Sequence, residues 1–178
     1  MTSAMTWILD RTATTSAGLV AWGTAGTGPP LGLAHGWPWS SVSWHRVFPA
    51  LATRFTVYWY DMPGYGRSEM RADAPTGLDA QGEIFAALLD QWGLHRPTVI
   101  AHDIGGATVL RAHLLLGREL GRLVLMNIVA LRPWGSDFFD HVGRHVEAFM
   151  GLPPHIHEAV VRAYIQGALA RGLDLEDL

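Results

Sequence analysis

At 178 residues, with 49% hydrophobic and 16% charged side chains, the chain has the length and apolar content of one folded domain rather than a disordered segment. The formal charge of −3, from 16 acidic and 13 basic side chains without a basic run, argues against a nucleic-acid partner. Every basic side chain is Arg and there is no Cys, which excludes lysine Schiff bases, a Walker-type phosphate loop, disulfides, thiolate nucleophiles and Cys-ligated metals.

Residues 1–10 lack the basic and apolar regions of a signal peptide, and no run reaches the roughly 18 apolar residues of a membrane span. A cytoplasmic protein without a membrane partner is expected. The first elements read as strands over residues 7–14, 18–24 and 31–35, an antiparallel start punctuated by Gly23, Gly26, Gly28, Pro29 and Pro30. The glycine spacing at 23–28 is not that of a dinucleotide loop, and the segment reads as a hairpin turn. A helix is expected over 41–54. The β-branched and aromatic run 55–60 follows as a strand buried on both faces, ending at the turn Asp61-Met62-Pro63-Gly64.

A helix over 78–91 then feeds a strand at 98–101, and a helix over 105–116 feeds a strand at 123–126. Strands alternating with helices imply βαβ units and a mainly parallel sheet, a three-layer αβα sandwich. Past Asn127 strand signals cease. Ser136 is placed to cap a helix running to Met150, and another helix is expected over 155–170. The organisation is therefore read as a core over 1–128 and a helical appendage over 129–178.

Chemistry concentrates where the strand Thr98-Val99-Ile100-Ala101-His102 runs into Asp103-Ile104-Gly105-Gly106. Small residues two before and two after Asp103 allow a strained strand-to-helix turn that lifts the central side chain above the sheet. A carboxylate is ionised at neutral pH and needs no base in order to attack. An aspartate capping the helix satisfies the same local pattern, so a cap and a nucleophile both stand at this point. His35-Gly36-Trp37-Pro38 ends an apolar strand in a turn able to present the Trp37 N–H, which with the Ile104 N–H would form an oxyanion hole. The segment 61–68 reads as a structural turn. His141 and His145, at i and i+4, lack the neighbouring Glu of a zincin and are read as a solvated helix face, so neither metal nor cofactor is expected.

In this order and spacing the three segments resemble the α/β-hydrolase superfamily, and Asp at the elbow resembles its haloalkane dehalogenase and epoxide hydrolase branch. The resemblance implies Asp103 as nucleophile, with Trp37 and Ile104 in the oxyanion hole. His35, Gly36, Pro38 and Gly105 are implied to support the turns, and 129–178 to begin a helical cap. Cap tyrosines of epoxide hydrolases protonate the epoxide oxygen, and Tyr164 is the tyrosine available for that contact. The family places its triad acid and histidine later in the chain, so this chain is expected to be truncated before them. Hydrolysis of a small, largely apolar substrate through an Asp ester is the implied activity. The alternative is an incompetent fragment or ligand-binding remnant. An unpaired edge at 123–126 is expected to favour self-association.

Overall fold

The computed structural model describes residues 7–131 and 134–168. The chain divides into two compact units, Met1–Arg132 and Pro133–Leu178. The first holds six strands, β1 (Arg11–Thr15), β2 (Gly18–Ala25), β3 (Pro30–Ala34), β4 (Thr56–Tyr60), β5 (Thr98–His102) and β6 (Arg122–Met126). Their spatial order is β1-β2-β4-β3-β5-β6. The β1–β2 and β2–β4 pairs are antiparallel, and β3–β4, β3–β5 and β5–β6 are parallel.

Alternation along the strands explains why both faces are covered. Val57 and Trp59 of β4 join Leu31, Leu33, Trp44, Phe48 and Ala52 in one cluster. Tyr60, Ala34, Val99 and Ala101 point the other way, into a cluster with Phe85, Leu88 and Val109. A 3-10 turn (Ser41–Trp44) and helix α1 (Phe48–Ala52) supply the first helical layer. Helices α2 (Leu78–Gln91) and α3 (Ile104–Leu114) supply the second. Each fully buried Trp59, Phe48 or Phe85 side chain contributes about 2–3 kcal/mol of apolar burial. Because β3, β4, β5 and β6 run parallel, their C-terminal ends share one edge of the sheet, the place where such folds gather reactive groups.

Several expectations need correction. The helix expected over 41–54 is two short elements, because Pro49 lacks an N–H and is accommodated only in the first turn of α1. The 23–28 segment is no hairpin: residues 23–25 end β2, residues 26–29 join it to β3, and β4 lies between those strands. Gly26 (φ 89°) and Gly28 (φ 133°) let the chain pass close to the turn that leads into β4, since a Cβ on either would meet the carbonyl oxygen of Phe55 or Arg54 at 2.3–2.4 Å. The first strand starts at Arg11 instead of Trp7, whose ring stacks on Trp59 at 4.4 Å. β6 ends the sheet, with Val124, Leu125 and Met126 each more than two-fifths exposed.

In the second unit the helix expected over 136–150 breaks at His145 (φ −130°, ψ 36°) into α4 (Asp137–Arg144) and α5 (Val146–Met150), followed by α6 (Pro154–Ala168). Ser136 occupies the N-cap position without a side-chain cap bond, its hydroxyl lying 3.3 Å from the Tyr164 hydroxyl instead. Tyr164 stacks on Phe138 at 4.8 Å and meets Phe139 edge-on at 5.2 Å.

Candidate active site

The turn from β5 into α3 is sharp because the residues around it are small. Asp103 adopts φ 52°, ψ −125°, a region that non-glycine residues occupy only under constraint. A Cβ on Gly105 would sit 2.3 Å from the His35 carbonyl oxygen and 2.8 Å from that of Ala34, so only glycine lets α3 start this close to β3. Gly36 has the same role from the other side, where a Cβ would lie 2.5 Å from the Asp103 Cβ.

Asp103 occupies the N-cap position of α3 but makes no side-chain cap bond. The carboxylate is not engaged as a helix cap. Its Oδ1 accepts the backbone N–H of Trp37 at 2.8 Å. Among the described residues, none donates a hydrogen bond to Oδ2. The carboxylate is half-buried, with one oxygen held and the other available. Ile104 is the first residue of α3, so its N–H has no acceptor within the helix.

His35 is fully buried and serves as a strut. Its Nε2 accepts the Met62 N–H at 2.9 Å, which leaves Nδ1 as the protonated nitrogen, donating to the Gly36 carbonyl at 3.1 Å. Burial pushes its pKa below the ordinary 6.5, although the Gly36 carbonyl and the charges of Asp61 and Asp103 pull the other way. A neutral imidazole with both nitrogens occupied is not a base. His102 turns to the α1 face, edge-on to Trp44 at 6.5 Å. The Trp37–Pro38 bond is cis.

Asp61 at the end of β4 is structural, as its sequence context suggested. Its Oδ1 accepts from the Ser41 N–H at 2.8 Å and its Oδ2 from the Arg67 N–H at 2.7 Å. Tyr65, carried on the same loop, was not singled out from the sequence. It meets the His35 ring edge-on at 5.3 Å, and burial followed by the Asp103 charge raises its hydroxyl pKa. The return of the chain past β6 was missed as well. Asp103 N donates to Met126 O at 3.2 Å, and Val129 N donates to Asp103 O at 3.1 Å. The only sequence cue was an asparagine at a strand end, a residue type tolerant of positive φ.

Tyr164 belongs to the second unit, as do His141 and His145, whose exposed rings are 4.7 Å apart. Among the described residues, no group of three or more His, Cys, Asp or Glu is arranged to hold a metal ion, and no helix is long and apolar enough to cross a membrane.

The chain is similar to known proteins. The chain is 43% identical over 86 residues to the soluble epoxide hydrolase of Corynebacterium sp. strain C12, covering 47% of this chain and 29% of that one. It is 33% identical over 105 residues to the pimeloyl-[acyl-carrier protein] methyl ester esterase of Photobacterium profundum, covering 59% and 39%. Over 87 residues it is 37% identical to a fluoroacetate dehalogenase from Burkholderia sp., covering 47% and 29%. An α/β hydrolase fold protein from Burkholderia ambifaria superposes with a TM-score of 0.91 at 48% identity, over 98% of this chain and 64% of that one. The chain thus spans well under half the length of the three curated relatives. Residues 29–153 match the α/β hydrolase fold family, and the chain belongs to it.

Proposed function

We propose that Asp103 is the nucleophile of a hydrolase that acts on a small, largely apolar epoxide or organohalide through an alkyl-ester intermediate. The observation that carries this reading is the 2.8 Å hydrogen bond from the Trp37 N–H to Oδ1 on a strained elbow, with Oδ2 unengaged by the described residues. An Oδ2 lone pair forms the new C–O bond as the carbon–halogen or carbon–oxygen bond breaks, its electrons leaving on halide or alkoxide. The alkoxide takes a proton from solvent.

Oδ1 then becomes the ester carbonyl oxygen. When water adds at Cγ, negative charge develops on Oδ1, where Trp37 already donates and Ile104 supplies the second N–H of the reading. The donor therefore sits at the atom that gains charge in the second step. Attack on an ester carbonyl would instead give a reactive anhydride, which favours saturated carbon over the chemistry of the esterase relative. No described histidine is assigned the activation of water.

Incubation with a reactive epoxide or alkyl bromide, digestion and mass spectrometry test the assignment. One adduct on the peptide containing Asp103, absent in Asp103→Asn, is expected. An adduct scattered over His and Met side chains, or none from a folded sample, favours a ligand-binding role.

A further inference from the structure

An aspartate at φ 52°, ψ −125° persists only where the surroundings over-determine its backbone. The packing of Gly105 and Gly36 constrains the β3 side. The opposite side is constrained by residues 126–129. Met126 O accepts the Asp103 N–H at 3.2 Å, which fixes the peptide plane before the Asp103 Cα. The Asp103 carbonyl accepts both the Gly106 N–H at 3.0 Å and the Val129 N–H at 3.1 Å, which fixes the plane after it. Both dihedral angles of the nucleophile are thus set partly by the chain leaving β6.

Side chains reinforce this hold. Asn127 turns the backbone at φ 44°, a region asparagine tolerates and β-branched residues do not. Ile128 then lies over Gly106: a Cβ at position 106 would be 2.2 Å from the Ile128 Cγ2 and 2.5 Å from its Cβ. Isoleucine is stiff about χ1, so that methyl stays over the first turn of α3.

We infer that residues 126–129 form a strap holding the Asp103 backbone in its attacking conformation, with Ile128 as a positioning residue. The inference rests on the reading of Asp103 as nucleophile. Ile128 acts through Gly106 and the Val129 N–H, not through the carboxylate. It should therefore affect the rate of attack more than the binding of the molecule attacked.

The experiment is a double-mutant cycle on the full chain, with Gly106→Ala, Ile128→Gly and the two together. Each single substitution is expected to lower the saturating alkylation rate at Asp103 by about 10- to 100-fold, the cost of misplacing a reacting group by up to about 1 Å. The half-saturating concentration should change by less than about twofold. In the double variant the methyl added at position 106 fills room vacated by the Ile128 side chain, and the rate should recover about tenfold over Gly106→Ala. Losses that multiply, as for independent sites, overturn the strap. Amide hydrogen exchange supplies a readout that needs no reaction. The Trp37 N–H, which reports on Oδ1, should exchange about tenfold faster in Ile128→Gly relative to the Val99 amide. Unchanged Trp37 protection also overturns the strap. Loss of Trp37 protection in Ile128→Gly, beside a wild-type protein that forms no adduct, would instead retain the strap and reject the nucleophile.

Discussion

Asp61 and Asp103 each follow a parallel strand at the same edge of the sheet, and their surroundings give them opposite properties. Asp61 is 1% exposed, accepts a backbone N–H on each carboxylate oxygen, and takes the Ser68 hydroxyl on its own carbonyl at 2.6 Å. Ser68 in turn accepts from the Ala21 N–H at 2.9 Å, so the loop is tied back to β2. Asp103 is half-buried on a strained backbone, with Oδ1 bonded to one N–H. A carboxylate whose oxygens are both held by donors stabilises a fold. One held by a single oxygen leaves its second oxygen without a donor among the described residues.

The largest effect expected from this contrast is on chemistry. Asp103→Asn should abolish the covalent adduct, because a neutral amide oxygen is a poor nucleophile, while the melting temperature stays within a few degrees of wild type. Asp61→Asn should do the reverse. Its new NH2 must face the Ser41 or the Arg67 N–H, so two donors meet in a buried site, at a cost of about 3 kcal/mol. For a chain of this size that is a fall of about 10 °C in melting temperature. Adduct formation by the folded fraction should persist. Equal loss of alkylation from both variants, each still folded, would erase the distinction.

Much of this contrast was readable in the sequence, and the rest depends on contacts distant along the chain. Helix α2 occupies Leu78–Gln91 as its periodicity indicates, and the aromatic run before Asp61 forms a doubly covered strand. The small residues flanking Asp103 mark the elbow because steric room is a local property. Whether Asp103 caps α3 is not local: it is decided by the Trp37 N–H, 66 residues away in the chain. The same holds for the segment at 23–28, misread as a hairpin because β4 inserts between β2 and β3. The segment after β6 carries no periodic signal, and the break at His145 falls within an otherwise helical pattern.

Gly105→Ala sharpens the comparison from the Asp103 side. The added methyl would meet backbone oxygens of His35 and Ala34, which cannot yield as a side-chain end can. Helix α3 must shift, at about 1–3 kcal/mol. Because that helix carries the elbow, the alkylation rate should fall more steeply than stability, whereas the Asp61 loop stays intact. Measured by adduct kinetics beside thermal melts, a loss of stability with an unchanged rate would detach the Gly105 contact from the geometry of Asp103.

The smallest effect concerns the residue between the two aspartates. His35 joins the turn that carries Trp37, through Gly36 O, to the loop that begins at Asp61, through the Met62 N–H. Its pKa is lowered, chiefly by burial, from 6.5. Between that folded value and 6.5 the unfolded chain binds more protons than the folded one, so stability increases with pH across the window and is lost as pH falls below about 6.5. The physical event is specific: a proton on Nε2 would set two donors against each other at Met62, releasing the strut from both turns. Thermal melts from pH 8 to 5.5 should show wild type losing stability below pH 6.5, and His35→Gln, which has no titrating group there, should flatten that slope. A slope identical in the two proteins would assign the acid sensitivity to other groups. It would leave the two aspartates linked by backbone geometry alone.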